Sequence, residues 1–263
     1  MKAQSDDLLT LTSIGVCAFV ACDLGHEMLG HGGVCLVTGG RAASFSTVHF
    51  QCFGGFQSLI TASGILFNLV TGMIAYLLLR RMHAANIYLR YFVWLFALFS
   101  LLTGWYYMAQ SSFANTGDWA NFLRLAAAAN WRFATGSIAA ILVLASGWAL
   151  TRELRFFIGS ADLSRTWRLA TIPFWTLALL PPLVRLIHSH WTLGQAAGVV
   201  FGSAAYAAGF LAIPLAFRVR LGRHLPEEAQ PGISRSTPWI LLGAAVLGVF
   251  VFVFGPGITL IRG

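Results

Sequence analysis

Residues 23–31 read Asp23-Leu24-Gly25-His26-Glu27-Met28-Leu29-Gly30-His31 and lie inside an otherwise apolar run near the start of the chain. The whole sequence of 263 residues is 57% hydrophobic and only 10% charged. A soluble domain would carry about 25% charged residues, so the composition indicates an integral membrane protein. Two acids and two imidazoles are costly to place in such surroundings, and this stretch is therefore the first candidate for a functional site.

The order of residues in this stretch indicates metal chemistry. A His-Glu pair followed by a second His on one helix is the pattern in which two imidazoles hold a zinc ion and the Glu accepts a proton from the bound water. The common spacing is H-E-x-x-H, whereas this chain has one extra residue between His26 and His31. On a regular α-helix that spacing turns the two imidazoles apart by roughly 140°. A shared ion therefore requires a local irregularity such as a π-bulge, which Gly30 would accommodate.

Two protein families share parts of this stretch. The H-E-x-x-G-H spacing resembles the zinc motif of the dipeptidyl peptidase III family. The longer block resembles the "HExxH…LLTGGR" region of the site-2-protease-like membrane metalloproteases, apart from the one inserted residue. It comprises His26-Glu27, Gly30-His31-Gly32-Gly33 and Leu36-Val37-Thr38-Gly39-Gly40-Arg41. The second resemblance implies a zinc-dependent protease embedded in a membrane.

The hydropathy pattern predicts an all-α polytopic membrane protein with about seven spanning helices, since a span needs about 20 apolar residues. Residues Gly39 to Gly55 between the first two spans predict a short β-like or re-entrant hairpin. We treat residues 1–263 as a single membrane domain, with a zinc-site core at about 8–132 and additional helices at about 133–263. The predicted spans are about Leu8–Val37, Phe56–Leu79, Tyr88–Met108, Phe133–Leu150, Trp167–Ile187 (broken by Pro181-Pro182), Leu193–Phe217 and Pro238–Ile261.

Basic residues alternate between the loops of this arrangement. The loops after the second, fourth and sixth spans, together with Lys2, hold twelve of the seventeen basic residues. The positive-inside rule then predicts a cytoplasmic N-terminus and an outside C-terminus. We expect an integral protein of a bacterial inner (plasma) membrane, in contact with membrane lipid. The net charge of +8 follows this loop pattern, so we expect no nucleic-acid partner.

The predicted topology also suggests a third metal ligand. Of the nine acids, only Asp23, Glu27 and Asp118 fall in the membrane or on the outer side. Asp118 follows the third span, at the same depth as His26 and His31. A catalytic zinc takes three protein ligands and leaves one position open, so His26, His31 and Asp118 are the predicted ligands. In the site-2-protease family an Asp on a later span has this role, in an N-P-x-x-x-x-D-G setting that Asp118 matches only through nearby Asn115.

Other roles stay open for these residues. Asp118 also fits a helix N-cap before Trp119. Asp23 is a candidate to orient the ring of His26 or to bind the metal directly. Alternative third ligands are His49, His188 and His190.

Glu27 is the predicted general base, which would accept a proton from the zinc-bound water and pass it to the leaving amine. The alternative is a buried carboxylate paired with His31 or Arg41. Asn68 matches the Asn of the G-P-x-x-N motif in the resembled family, where it would bind the substrate backbone. A hydrogen bond between helices is the simpler interpretation of Asn68. Cys35 and Cys52 would pair if both face an oxidising compartment, whereas Cys17 and Cys22 are expected to pack as small apolar side chains.

We therefore expect a Zn²⁺-dependent membrane metalloprotease that acts on membrane-protein or peptide substrates. It would hydrolyse peptide bonds in transmembrane or juxtamembrane segments. Two alternatives remain. One is a zinc-dependent membrane hydrolase of lipid amides, and the other is a non-enzymatic metal-binding membrane protein or transporter, which a broken helix and G-x-x-x-G steps would also suit.

Overall fold

The computed structural model describes residues 6–47, 49–82, 86–158, 163–188 and 232–260. Within these residues the chain is mostly helical, and five helices are long and apolar enough to cross a membrane. The predicted membrane class is thus supported, but not the count of seven. The predicted sixth span, about Leu193–Phe217, lies outside the described residues. The five candidate spans are Leu8–Val37, Gln57–Leu79, Ile87–Ala114, Ala129–Glu153 and Thr237–Phe254.

Two of the predicted spans end or bend differently from the expectation. The predicted fifth span is one helix over Leu163–His188, so the predicted break at Pro181-Pro182 is wrong. Proline in a membrane helix is tolerated where other groups satisfy the carbonyls that lose a donor. The predicted seventh span is shorter than expected, because Pro256 cannot continue a helix and Gly257 has a φ of 84°.

The elements follow one another in a simple order. The first span is α1 (Leu8–Leu24), a π-helical segment (Gly25–Gly32) and α2 (Gly33–Val37) in one continuous run. The remaining helices are α3 (Gln57–Leu79), α4 (Ile87–Ala114), α5 (Asp118–Leu125), α6 (Arg132–Ile158), α7 (Leu163–His188) and α8 (Thr237–Val249), with short 3₁₀ and π turns at Ala129–Trp131 and Phe250–Phe254.

The predicted hairpin after the first span is present and belongs to a small sheet. Strands β1 (Arg41–Ser46) and β2 (His49–Phe53) pair antiparallel. A third strand, β3 (Ile258–Thr259), pairs antiparallel with the other edge of β1, giving the order β2-β1-β3. Gly54 and Gly55 after β2 have φ values of 74° and 70°, which glycine adopts without strain.

The chain forms two compact units, each built from separate segments. The first comprises Met1–Val20, Leu78–Leu95 and Trp148–Gly255, and the second comprises Ala21–Leu77, Phe96–Gly147 and Pro256–Gly263. In the second unit α3, α4 and α6 pack through Ile65, Met108, Ala109 and Ala139. All the residues of the predicted metal site belong to this second unit. The predicted division at residues 132 and 133 stays a prediction.

A disulfide joins Cys35 of α2 to Cys52 of β2, as predicted, and Cys17 and Cys22 are free and buried. The bond ties the hairpin to the end of the helix that carries the two histidines. Replacing both bonded cysteines with serine should lower the free energy of unfolding by about 3 kcal/mol, because the cross-link spans 17 residues. Thermal unfolding in detergent without reductant measures the loss.

Alkylation provides the check on the pairing itself. Denatured protein should react at two of its four cysteines before reduction and at all four afterwards. Reaction at four cysteines without reductant would contradict the disulfide.

Candidate metal centre

The π-helical segment is what turns His26 and His31 toward each other. Its wide turn is visible at its end, where the Gly33 N–H contacts the Met28 carbonyl five residues earlier as well as the Gly30 carbonyl. A chain bonded with this longer repeat places residues five apart on nearly one side. The two imidazole rings accordingly lie 4.9 Å apart, edge to face. The helix irregularity predicted from the inserted residue is confirmed.

Asp118 reaches the same place from the start of α5. The helix is capped at Gly117, whose φ of 82° suits glycine, and Asp118 is the first helical residue. The N-cap position itself is therefore occupied by Gly117 and not by Asp118. Ser111 of α4 supplies the capping hydrogen bond, since its hydroxyl accepts the N–H of Ala120 at 2.9 Å. The N-cap alternative for Asp118 is therefore wrong, and its carboxylate is turned to the histidines.

Three ligand atoms converge at this point. The Oδ2 atom of Asp118 lies 3.4 Å from Nε2 of His26 and 3.3 Å from Nε2 of His31. Charge-assisted hydrogen bonds are shorter, at about 2.8 Å. Two ligands that are each about 2.1 Å from a tetrahedral ion lie roughly 3.4 Å apart. The group His26, His31 and Asp118 could therefore hold a metal ion, and its ligand atoms all lie within 4.8 Å of one another.

The hydrogen bonding of His31 calls for a proton or a cation at this point. Its Nδ1 atom lies 2.6 Å from the carbonyl oxygen of Ile60, which can only accept a hydrogen bond. The ring proton is therefore on Nδ1, and a neutral His31 turns the lone pair of Nε2 toward the Asp118 carboxylate. Two acceptors facing each other need a proton or a cation between them.

Asp118 stays ionised in these surroundings. Burial alone would raise the pKa of its carboxyl group, but His26 and His31, when they carry protons on the nitrogens that face Asp118, supply hydrogen bonds and positive charge that outweigh burial and hold that pKa well below its usual value. The side chain keeps 26% of its surface exposed, whereas those of His26 and His31 keep 9% and 8%. Asp118 is therefore the open side of an otherwise buried group.

Two glycines make room for this arrangement. A β-carbon added at Gly64 of α3 would lie 2.6 Å from Nε2 of His31 and closer still to Nε2 of His26. A β-carbon at Gly30 would lie 2.7 Å from the α-carbon of Gly64. The π-helical segment and α3 thus approach backbone to backbone, and the space in front of both ring nitrogens is free of side chain.

Glu27 is the fourth ionisable group at the centre. Its side chain is buried, and its Oε2 atom has no hydrogen-bond partner in the described part of the chain. The carboxylate interacts electrostatically with His31 and Asp118. Arg41 is exposed on β1, and neither Arg41 nor His31 forms an ion pair with Glu27 among the described residues. The alternative in which Glu27 pairs with Arg41 thus gains no support, whereas the interaction with His31 is electrostatic and without a close ion pair.

The other candidates lie elsewhere. His49 is exposed at the start of β2, opposite Ser46. His188 belongs to the first unit, where its Nε2 donates to the carbonyl of Val251 at 2.8 Å. His190 lies outside the described residues. Asp23 is not the partner of His26, because Nδ1 of that ring contacts the side-chain amide of Asn68 at 3.2 Å. Asn68 thus makes the hydrogen bond between helices that was its simpler interpretation.

Sequence reasoning missed Tyr107 and Ser111, both on α4. The Tyr107 ring lies 6.1 Å from that of His26, and its hydroxyl interacts with the backbone and carboxylate of Asp118. A β-carbon at Gly117 would lie 2.9 Å from this hydroxyl, so the Tyr107 hydroxyl packs closely against the turn that precedes Asp118. Their position seven and eleven residues before Asp118 in the sequence was the only available signal.

Comparison of the chain with protein-family models, with curated proteins and with solved structures gives no match.

Proposed function

We propose that the protein is a zinc-dependent, membrane-embedded metalloprotease of the site-2-protease kind. The observation that carries the proposal is the convergence of His26, His31 and Asp118 beside Glu27, a buried carboxylate whose Oε2 has no hydrogen-bond partner in the described residues. A metal-binding protein without catalysis needs the first three groups but has no use for the fourth. The combination of a ligand set and a free base supports a hydrolase.

The donor set favours zinc. Two imidazole nitrogens and one carboxylate oxygen are three of the ligands that catalytic zinc takes, with a position left for water or substrate. Magnesium and calcium prefer all-oxygen sites and more ligands. When bound, zinc lowers the pKa of water to about 7 and polarises a carbonyl oxygen.

The residues of the chain would have separate roles in metal binding and proton transfer. His26, His31 and Asp118 hold the ion, and the backbone at Gly64 leaves space for it. Glu27 accepts the proton of the attacking water and returns it to the leaving amine. Burial of Glu27 and both histidines strengthens these charge interactions by excluding bulk water. The partly exposed side of Asp118 is the side from which water and substrate would enter.

The substrate would be a transmembrane or juxtamembrane peptide segment. The histidines and Glu27 lie within a candidate span, so a substrate already in the membrane has the shortest route to them. The disulfide between Cys35 and Cys52 supports placing this end of the span on an oxidising, non-cytoplasmic side. That orientation agrees with the one predicted from the basic loops.

Metal content and cleavage together test the proposal. Purified protein should contain about one zinc per chain, and the His26→Ala/His31→Ala variant should contain none. The zinc-loaded protein, reconstituted in liposomes, should cleave a library of fluorogenic transmembrane peptides, and a chelator should stop it.

The result that would overturn the proposal is specific. A wild-type protein that binds no zinc after loading would remove the metal site. One zinc per chain with turnover of a lipid amide instead of any peptide would move the assignment to the lipid-amide hydrolase.

A further inference from the structure

The two ring nitrogens of His26 have different partners. Nε2 faces the Oδ2 atom of Asp118 at 3.4 Å, and Nδ1 faces the Nδ2 atom of Asn68 at 3.2 Å. Asn68 is on α3, one helical turn after Gly64, and only 1% of its surface is exposed. A residue so deeply buried is closed to a substrate backbone, so its contact with His26 needs another explanation.

A metal-binding imidazole must present a lone pair on the nitrogen toward the metal and a proton on the other nitrogen. His31 meets this condition through the Ile60 carbonyl, which accepts from Nδ1. Within the described parts of the chain, the partner of Nδ1 of His26 is a side chain and not a backbone carbonyl. Its Nδ1 meets a carboxamide, which offers a donor from one end and an acceptor from the other.

The amide of Asn68 has an unused acceptor. With Nδ2 turned to His26, the Oδ1 atom is buried and has no hydrogen-bond partner among the described residues. In this arrangement Nδ1 of His26 accepts, and the ring proton is on Nε2, next to the Asp118 carboxylate. A half-turn of the amide exchanges Nδ2 and Oδ1, so that Oδ1 accepts a proton carried on Nδ1. Nε2 then offers its lone pair to the metal position.

We propose that Asn68 is a positioning residue that sets the ring tautomer of His26, with its carbonyl oxygen toward Nδ1 when Nε2 binds the metal ion. The proposal rests on the metal centre of the proposed function and assigns a role to a residue outside the ligand set. Asn68 touches neither substrate nor metal. It acts through the ring of His26.

Two substitutions separate this role from simple packing between helices. Asn68→Leu keeps the volume and removes the acceptor, whereas Asn68→Asp keeps the acceptor and adds a buried charge. If Asn68 only packs, Leu is tolerated and Asp is harmful. If Asn68 orients His26, Leu is harmful to metal binding and Asp rescues it.

The measurement is zinc affinity in detergent, by competition with a chromogenic chelator, on variants that keep the wild-type thermal midpoint. Asn68→Leu should bind zinc about 10- to 100-fold more weakly, the range found when groups behind metal-binding histidines are changed. Asn68→Asp should bind within about threefold of wild type or more tightly. Thr71→Val is the control on α3. The Thr71 hydroxyl donates to the backbone carbonyls of Phe67 and Asn68, so the substitution removes a partly buried polar contact but leaves the side-chain amide of Asn68 intact, and zinc affinity should not change.

Cobalt loading gives a second readout. The visible spectrum of tetrahedral cobalt should shift in Asn68→Leu and return toward wild type in Asn68→Asp. Wild-type zinc affinity in Asn68→Leu, or equal loss in Leu and Asp, would overturn the role of Asn68 while leaving the metal site in place. Absence of zinc from the wild type would instead overturn the proposed function, and this role with it.

Discussion

Glu27→Gln is expected to abolish hydrolysis while leaving the metal ion bound. The substitution changes one oxygen to an NH₂ group and keeps the shape of the side chain, so the positions of His26, His31 and Asp118 should not move. An amide cannot accept the proton of the attacking water at neutral pH. Loss of a general base lowers turnover by about 10²- to 10⁴-fold, so we expect kcat to fall by roughly a thousandfold.

The surroundings of Glu27 are the reason for expecting a large effect. Glu27 is 9% exposed, and its Oε2 atom has no hydrogen-bond partner among the described residues. Bulk water therefore has poor access to replace the missing base. The carboxylate also interacts electrostatically with His31 and Asp118, two of the proposed ligands, as the proposed role of a base beside the metal would require.

Glu153→Gln is the matched control. Glu153 is equally buried, at 9% exposure, but it belongs to the first unit of the chain. We expect wild-type kcat and one zinc per chain in this variant. Steady-state cleavage of a fluorogenic transmembrane peptide, paired with elemental analysis of the same samples, makes the comparison.

Other results for Glu27→Gln would assign a different role to Glu27. Full activity in Glu27→Gln would exclude Glu27 as the base. Loss of zinc along with activity would make Glu27 a ligand instead. Zinc retained by both proteins, with no hydrolysis by either, would favour the non-enzymatic metal-binding alternative.

Local features of the site were predictable where chemistry restricts the backbone. One inserted residue between His26 and His31 leaves a regular α-helix unable to present both rings to one ion, so a π-bulge followed from the ligand types alone. The β1–β2 hairpin followed from apolar residues spaced among polar residues and glycines between Gly39 and Gly55. The Cys35–Cys52 bond followed only on the condition that both cysteines face an oxidising compartment. Asp118 followed from topology, because few acids remained for the outer side.

Features that depend on contacts between distant segments were not predictable. The role of Gly64 depends on α3 lying against the π-helical segment, about 35 residues away in the sequence. Ser111 replaces Asp118 as the cap of α5 only because α4 extends to Ala114, beyond its predicted end near Met108. The hydropathy pattern does not show which glycine or serine of a membrane helix lies against the metal centre and which packs against another helix.

The continuity of α7 through Pro181-Pro182 shows a different limit. A proline pair removes two N–H donors, and sequence rules then favour a break. Whether the helix breaks depends on what the neighbouring groups offer to the freed carbonyls, which is a property of the packed structure.

Gly64→Ala is expected to destroy the metal site without unfolding the helix that carries it. Alanine is the better helix former by about 1 kcal/mol, so α3 itself should not suffer. The added methyl group would lie 2.6 Å from Nε2 of His31 and closer to Nε2 of His26, a distance at which atoms overlap. Both rings would have to turn away from the position they share with Asp118.

We expect Gly64→Ala to lose more zinc affinity than substitutions of residues that only contact the metal-binding histidines, such as Asn68. Changes around metal-binding histidines weaken binding by about 10- to 100-fold, so displacement of two ligands should weaken it by at least about 100-fold. Zinc affinity by chelator competition measures the loss, and hydrolysis should fall with it. Asn68→Leu removes a contact that orients the ring of His26, whereas the methyl group of Gly64→Ala displaces the rings of both His26 and His31.

Gly33→Ala separates this steric effect from a general sensitivity to added methyl groups. Gly33 follows His31 by two residues on the same span, and a β-carbon there would meet nothing within 4 Å. We expect this variant to bind zinc as the wild type does and to be no less stable. The comparison uses variants whose elution volume in gel filtration and thermal midpoint match those of the wild type. The two variants then differ chiefly in which atoms the added methyl group touches. Equal zinc binding by Gly64→Ala and Gly33→Ala would mean that the ion is not held between His26 and His31, because the methyl group of Gly64→Ala would lie against the Nε2 atoms of both rings.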